Sequence, residues 1–239
     1  MDSIEVVSSG SKSGVGVLDK VVAILAFLSG DGPASLSEVV EGTGLSRPTA
    51  HRLLSALETH HLVSRRNGRY VLGLRLLGWG HGAVGAGLVE RARPVLEGLR
   101  DESGESTQLY VRDGAQRVCV AAVERVTGLR DTVPVGAVMP LERGSAGKVL
   151  LAWAPGGIDR RPDAAQLRGI RVRGWAESVA EREAGVASVS APVFAEDGRL
   201  RAAVSVSGPI SRLGERPGQG LSHLVVRAAR EIESASEIV

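Results

Sequence analysis

Cysteine is nearly absent, with one residue, Cys119, in 239. That excludes an internal disulfide framework and any zinc site built from cysteines alone. No uninterrupted apolar run approaches the ~20 residues that a membrane span needs, so no membrane association is expected. Residues 1–14 are polar and show no basic segment followed by an apolar one. No secretory signal is readable there, and a cytoplasmic location is expected. Catalytic signatures are missing as well. There is no GxSxG elbow, HExxH or paired-carboxylate arrangement, and histidine is confined to His51, His60, His61, His81 and His223. No catalytic residue, metal site or cofactor is expected. His60-His61 reads as a helix terminus, and Cys119, within Val118-Cys119-Val120-Ala121, as a small buried hydrophobe.

Hydrophobic residues at 43%, charged residues at 23% and a mean hydropathy of +0.06 describe a globular chain. Its 29 basic residues include only three lysines (Lys12, Lys20 and Lys148), and 27 acids leave a net +2. The charge is unevenly spread. Residues 45–75 hold Arg47, Arg52, Arg65, Arg66, Arg69 and Arg75 against the single acid Glu58. Such a cluster on a nearly neutral chain is either a polyanion-facing surface or a solvated arginine face.

Apolar spacing in the first third is helical. Val17, Leu18, Val21, Ile24, Leu25 and Leu28 fall on one stripe, which Gly30-Asp31-Gly32-Pro33 ends. Ser35 stands three residues before Glu38, the signature of a capping box on a short second helix. After the turn at Thr43-Gly44-Leu45, Ser46 caps a third helix, with Pro48 in its first turn. Ala50, Leu53, Leu54 and Leu57 must face inward, so Arg47, Thr49, His51, Arg52 and Ser55 face out. Asn67-Gly68 between short β-type runs predicts a hairpin flanked by Arg65, Arg66 and Arg69. Three helices and a basic hairpin read as a winged helix-turn-helix. The third helix enters the major groove, and the wing arginines neutralise phosphate or reach the minor groove. About five phosphates per protomer predict a slope of log K against log salt near −4 to −5.

From 73 to 98 the pattern is helical and glycine-rich. Gly80, Gly82 and Gly85 formally match GxGxxG, but no βαβ unit surrounds them, so a packed linker with close helix approach is the better reading. Beyond it, Asp113-Gly114 and Asp197-Gly198 mark two further hairpins, and 145–153 and 221–238 read as helices. Ser188 and Ser190, and Ser205 and Ser207, each share one strand face, while Val204 and Val206 face the other way. A hydroxyl-lined face either holds a small polar ligand or is merely wet.

The sequence resembles the IclR family of bacterial transcriptional regulators over most of its length. The resemblance rests on Gly16-Val-Leu-Asp-Lys20, Gly44-Leu-Ser-Arg-Pro-Thr-Ala-His-Arg-Leu-Leu54 and Gly68-Arg-Tyr-Val-Leu-Gly-Leu-Arg-Leu-Leu77 in the first part. Ala92-Arg-Pro-Val-Leu96, Met139-Pro-Leu141, Ser145-Ala-Gly-Lys148, Glu183–Val193 and Val204–Pro209 carry it further. The runs 128–136 and 185–193 are similar to the actinobacterial branch linked to amino-acid metabolism, leucine included. The resemblance implies an α+β protein with an N-terminal winged helix-turn-helix and a C-terminal GAF/PAS-like antiparallel α/β effector domain. The expected limits are a disordered tail over 1–14, the winged domain over 15–76, a linker helix over 77–90 and the effector domain over 91–239.

It further implies a repressor role, with activation at some promoters left open, at a palindromic double-stranded operator, a small-molecule effector such as an amino acid or biosynthetic intermediate, and a homodimer or tetramer. Combined with the spacing argument, the DNA-binding candidates are Ser35, Ser46, Arg47, Thr49, His51, Arg52, Arg65, Arg66 and Arg69. The effector-pocket candidates implied by the family are Met139, Ser145, Ala146, Ser178, Ser188, Ser205 and Ser207. Two departures alter the pocket's charge. Glu142-Arg143-Gly144 replaces the family's histidine and small polar residue, and Ser178 stands where some members carry aspartate. Two other readings stay open at this point: an effector domain used only for oligomerisation, and an enzyme with an accessory winged domain.

Overall fold

The computed structural model of the chain describes residues 13–30, 32–84, 87–154 and 163–234. It divides into two units, Met1–Ala86 and Gly87–Val239. Of the tail expected over 1–14, residues 1–12 lie outside the described residues.

The first unit begins with α1 (Gly16–Gly30), α2 (Leu36–Thr43) and α3 (Arg47–Thr59). The capping box at α2 forms as the spacing predicts. Ser35 Oγ accepts from Glu38 N–H at 3.3 Å, and Glu38 Oε2 accepts from Ser35 N–H at 2.7 Å. Gly42 lets α1 and α2 approach, because a Cβ there would lie 2.1 Å from the Phe27 ring. Ile24, Leu28, Val39, Leu53, Leu54 and Leu57 make the core. The expected apolar stripe of α1 is only partly internal: Ile24 and Leu28 are buried, whereas Val17 and Leu18 are exposed.

The hairpin consists of β1 (Val63–Arg66) and β2 (Arg69–Leu72), joined through Asn67 and Gly68 at φ 51° and 77°. Positive φ at both central residues gives the turn a twist that matches the paired strands. Ala34 adds a bridge to Tyr70, so a short segment before α2 docks against the wing.

Then comes α4 (Arg75–Val84), and the second unit opens with α5 (Leu88–Ser103). The linker expected as one helix over 77–90 is therefore two, broken before Leu88 where Gly87 adopts φ 76°. Gly80 and Gly82 lie inside α4 and not at a strand-to-helix turn, so the formal GxGxxG is not placed as a dinucleotide fingerprint; Gly85 is outside the described residues. The close helix approach expected of these glycines is absent within the described residues. A Cβ at Gly78, Gly80 or Gly82 would meet nothing within 4 Å.

The second unit carries β3 (Ser106–Asp113), β4 (Gln116–Val123), β5 (Val138–Pro140), α6 (Ser145–Ala152) and α7 (Ala164–Arg173). It continues through β6 (Ala176–Val179), β7 (Val186–Phe194), β8 (Leu200–Pro209), α8 (Ile210–Leu213) and α9 (Gly218–Ser234). The strands form one antiparallel sheet in the order β5-β4-β3-β8-β7-β6. The chain is thus α+β, with a helix-turn-helix unit followed by an antiparallel sheet dressed with helices. Register aligns Ser178, Ser188, Ser207 and Ser106 in one row across four strands, and Ser190, Ser205 and Gln108 in the next. The alternating Val189, Val204 and Val206 are fully buried on the other face. There Thr107 Oγ1 donates to the Leu96 carbonyl of α5 at 2.9 Å. The α6 helix lies on the serine face.

Candidate DNA-binding surface and effector pocket

In α3, Ala50, Leu53, Leu54 and Leu57 are buried, which fixes His51 and Arg52 on the solvent side. Neither makes a hydrogen bond or ion pair with a described residue. Arg47 is exposed and its Nη1 donates to Ser37 Oγ at 3.1 Å, a neutral partner that leaves its charge uncompensated. Ser46 occupies the N-cap position as expected, yet its side chain caps no backbone N–H. Its hydroxyl instead pairs with Thr49 Oγ1 at 2.9 Å.

The wing arginines fare differently from one another. Arg65 Nε lies 3.2 Å from Glu58 Oε1, and its guanidinium stacks 4.5 Å from the Tyr70 ring centroid, with a hydrogen bond to the Tyr70 hydroxyl. Arg69 donates to the Pro33 carbonyl at 2.9 Å and to both oxygens of Glu38 at 2.8 and 2.7 Å. Arg66 is exposed beside the turn and pairs with no described residue. Ser35 spends its hydroxyl and its N–H on the Glu38 capping box. Arg75, beyond the wing, donates to the His60 carbonyl at 3.2 Å and lies over the Trp79 ring, so of the basic surplus read from residues 45–75 four guanidiniums lack a carboxylate partner among the described residues: Arg47, Arg52, Arg66 and Arg75.

The second unit holds a pocket of about 250 Å³, its mouth included. Among the expected residues it brings together Ser145, Ala146, Ser188, Ser205 and Ser207. Ser178 is buried opposite Ser188 in register and does not line it. Met139 does not line it either; it sits opposite Arg117 in register, behind that side chain. The hydroxyls are linked. Ser145 Oγ donates to Ser188 Oγ at 2.7 Å and pairs with Ser190 Oγ at 2.7 Å, and Ser190 donates to Ser205 at 2.9 Å. Ser207 donates to Gln108 Oε1 at 3.1 Å. The N-terminus of α6, starting after Gly144 at φ 87°, opens onto the same space.

Five lining residues were not anticipated: Tyr110, Arg117, Asp131, Gly144 and Arg182. Asp131 is buried, and both its oxygens accept from Arg182 Nη2 at 2.6 Å. Burial weakens the Arg182 charge, but the Asp131 carboxylate outweighs that and raises its pKa. Arg117 is 2% exposed and has no carboxylate partner. Its Nη1 donates to the Arg143 carbonyl at 2.7 Å and to the Pro140 carbonyl, its Nη2 lies 3.7 Å from Met139 Sδ, and its Nε is unpartnered. Desolvation lowers its pKa. Burial also disfavours the charged forms of Tyr110 and Cys119 and raises both pKa values, that of Cys119 to about 12. A signal for Arg117 existed: it stands two residues before Cys119, on the inward register of an otherwise apolar strand. Asp131 and Arg182 lie outside the strands and helices, where no periodicity marks them.

Among the described residues no three His, Cys, Asp or Glu side chains gather as a metal site, and no helix is long and apolar enough to cross a membrane.

Comparison with known proteins agrees with this geometry. The IclR helix-turn-helix domain matches residues 17–67, and the bacterial transcriptional regulator IclR C-terminal domain matches 82–157 and 164–234. The glycerol operon regulatory protein of Streptomyces griseus is 32% identical over 82% of this chain and 85% of its own length. The HTH-type transcriptional regulator BhcR of Paracoccus denitrificans is 28% identical over 92% of this chain and 86% of its own. The crystal structure of the Thermotoga maritima IclR superposes with a TM-score of 0.71 at 26% identity, covering 92% of this chain and 98% of that one. These are regulators of transcription and not enzymes, and the chain belongs with them to the IclR family of bacterial transcriptional regulators.

Proposed function

We propose that the protein is an effector-responsive repressor that binds a palindromic operator as a homodimer, itself able to pair into a tetramer. Its ligand is a small metabolite held in the serine pocket. The observation that carries the DNA half is the division of α3: four buried apolar residues hold Arg52 and His51 outward with no competing partner, beside an unpaired Arg66 on the wing. Arg52 reads a base edge, where a guanidinium fork can donate twice to a guanine, and Thr49 and Arg47 sit beside it at the helix N-terminus. Arg66 contacts phosphate. Arg65 and Arg69 act mainly inside the unit, Ser35 is taken up by its capping box, and Ser46 has its hydroxyl paired with Thr49.

Support for a second copy comes from apolar side chains that this unit leaves in water. Val17, Leu18 and Val22 of α1 and Leu77 and Trp79 of α4 are about half exposed or more. Such a set on a small unit is the mark of an association surface. A dimer in turn doubles the half-sites and matches a two-fold operator.

The effector couples to DNA through differential binding to two arrangements of the protein, and the coupling is reciprocal. The resemblance of 128–136 and 185–193 to the branch linked to leucine metabolism supports control of amino-acid genes from the cytoplasm, with an amino acid or biosynthetic intermediate as ligand. Footprinting on the protein's own upstream region and on a leucine-biosynthesis promoter, with and without such compounds, tests the reading. A roughly palindromic protected site that one compound alters is expected. Arg52→Ala is expected to weaken the specific site by about 1–3 kcal/mol, at one base position. Sequence selection from random DNA that yields no preferred site overturns the proposal.

A further inference from the structure

The first turn of α2 holds arginines from two other elements, by partners of different charge. Glu38 takes Arg69 of the wing through both carboxylate oxygens. Ser37, the residue before it, takes Arg47 of α3 through a hydroxyl 3.1 Å from Nη1. The first contact cancels a cation. The second holds a cation in place and leaves its charge intact, since a serine hydroxyl carries none.

The local structure of α2 does not require the second contact. Ser37 is exposed, and the cap of the helix is supplied by Ser35 and Glu38. Arg47 opens α3, yet its side chain reaches back to a residue near the start of α2, about 9 Å from that helix's end at 1.5 Å per residue. Glu41 stands one turn beyond Ser37, on the same face of α2, and pairs with no described residue. Arg47 is thus bonded to a neutral hydroxyl and not to the acid beside it.

When a helix-turn-helix docks, its second helix enters the major groove and its first crosses the phosphate backbone. A guanidinium pinned to the first turn of the first helix therefore lies at the level of the backbone and not at the base edges. Only Nη1 of Arg47 is engaged, and the Nε–Nη2 edge is left to meet two phosphate oxygens as a fork.

Resting on the DNA-binding reading above, we propose that Ser37 is a positioning residue for the operator complex. It holds Arg47 as an uncompensated cation over a phosphate and away from Glu41, while Arg52 keeps the base edge. Without the hydroxyl, the Arg47 guanidinium falls to Glu41, and one phosphate contact is lost from every DNA sequence alike. Adjacent residues of α2 thereby sort the arginines: the acid at 38 withdraws Arg69 from DNA, and the hydroxyl at 37 assigns Arg47 to it.

The test uses the full chain in fluorescence-anisotropy titrations at several salt concentrations. Two duplexes of equal length serve as probes, the sequence best selected from random DNA and a scrambled copy. Ser37→Ala is expected to weaken both by the same factor, roughly three- to tenfold. It is also expected to flatten the slope of log K against log salt by about 1. Ser37→Thr, which keeps the hydroxyl, is expected to bind as the wild type does. Glu41→Gln is expected to gain more affinity in the Ser37→Ala background than in the wild type, and Ser37→Ala to change nothing in an Arg47→Ala background. Ser37 and Glu41 are both exposed, and thermal unfolding checks that each variant folds.

Wild-type binding by Ser37→Ala, a loss confined to the selected sequence, an unchanged slope, or the same loss in the Arg47→Ala background overturns the positioning role. So does Ser37→Thr binding as weakly as Ser37→Ala. These outcomes leave the DNA-binding surface standing. Wild-type binding by both Arg47→Ala and Arg52→Ala overturns that surface and the role of Ser37 with it.

Discussion

Glu38 holds Arg69 across 31 residues of sequence, its carboxylate oxygens 2.8 and 2.7 Å from Arg69 Nη2. The same carboxylate closes the capping box on Ser35 at the start of α2. One side chain thus joins a helix start to the wing. It also relieves the like-charge opposition of Arg66 and Arg69, which face each other across the hairpin. The wing is left with a single cation, Arg66, available to a partner.

That junction is acid-sensitive in a defined window. The Ser35 backbone N–H first, then its hydroxyl and Arg69, pull the Glu38 pKa from 4.5 down to about 2. A carboxylate whose folded pKa is depressed contributes stability that is fully present above its unfolded value and is lost as pH falls through its folded one. Wild type is therefore expected to exceed Glu38→Gln in Tm by a constant margin above pH 4.5, with the two converging towards pH 2. A margin that does not change across that window contradicts the assignment. The pair is exposed to solvent, so added salt should also narrow the margin.

The salt dependence of operator binding separates the wing arginines. Counting only the cations of α3 and the wing that lack a carboxylate partner, Arg47, Arg52 and Arg66, log K is expected to fall against log salt with a slope near −3 per protomer. That is shallower than the value expected when all the arginines of 45–75 are counted. Arg66→Ala is expected to reduce the slope by about 1 and weaken all DNA sequences alike. Arg69→Ala is expected to change the slope little and to lower Tm instead. Titrations at several salt concentrations with both variants decide it, and a loss of slope on Arg69→Ala reassigns that residue to phosphate.

What could be read from the sequence follows the range of the interactions. Ser35 and Glu38 are three residues apart, Asn67-Gly68 is a local turn, and Leu53, Leu54 and Leu57 repeat at helical spacing, so each is visible in a short window. The hydroxyl ladder was half visible, because Ser188 and Ser190, and Ser205 and Ser207, alternate within single strands. Pairing Ser190 with Ser205 needed the register of β7 on β8. Long-range pairs left no local trace. Arg69 with Glu38 and Arg182 with Asp131 turn free charges into compensated ones over 31 and 51 residues. A charge count along the chain cannot see them, which is why the wing looked more cationic and the pocket less polar than they are.

Gly147 is expected to be intolerant of the smallest side chain. In Gly147→Ala the Cβ lies 2.1 Å from the Leu141 carbonyl oxygen, a backbone atom that cannot swing aside, and close to Arg117 Nη1. Overpacking of this kind costs about 1–3 kcal/mol. Chemical denaturation should show that loss, whereas Gly169→Ala, where a Cβ meets nothing within 4 Å, serves as the control. Equal midpoints for the two variants contradict the packing described here.

Ser145 is the hub of the hydroxyl ladder, bonded to Ser188 and Ser190 at 2.7 Å each. Ser145→Ala removes one partner from both, and Ser190 still keeps Ser205 at 2.9 Å. Ser188 keeps no described partner for its hydroxyl. Ser188 is only half-buried on the pocket wall, so the change removes the net worth of a hydrogen bond, about 0.5–1.5 kcal/mol. Denaturation is expected to show a loss in that range for Ser145→Ala. The double variant with Ser188→Ala should cost less than the sum of the two single changes, since it removes the orphan as well as its donor. Strict additivity means that the two hydroxyls do not interact, and the ladder then has no energetic standing.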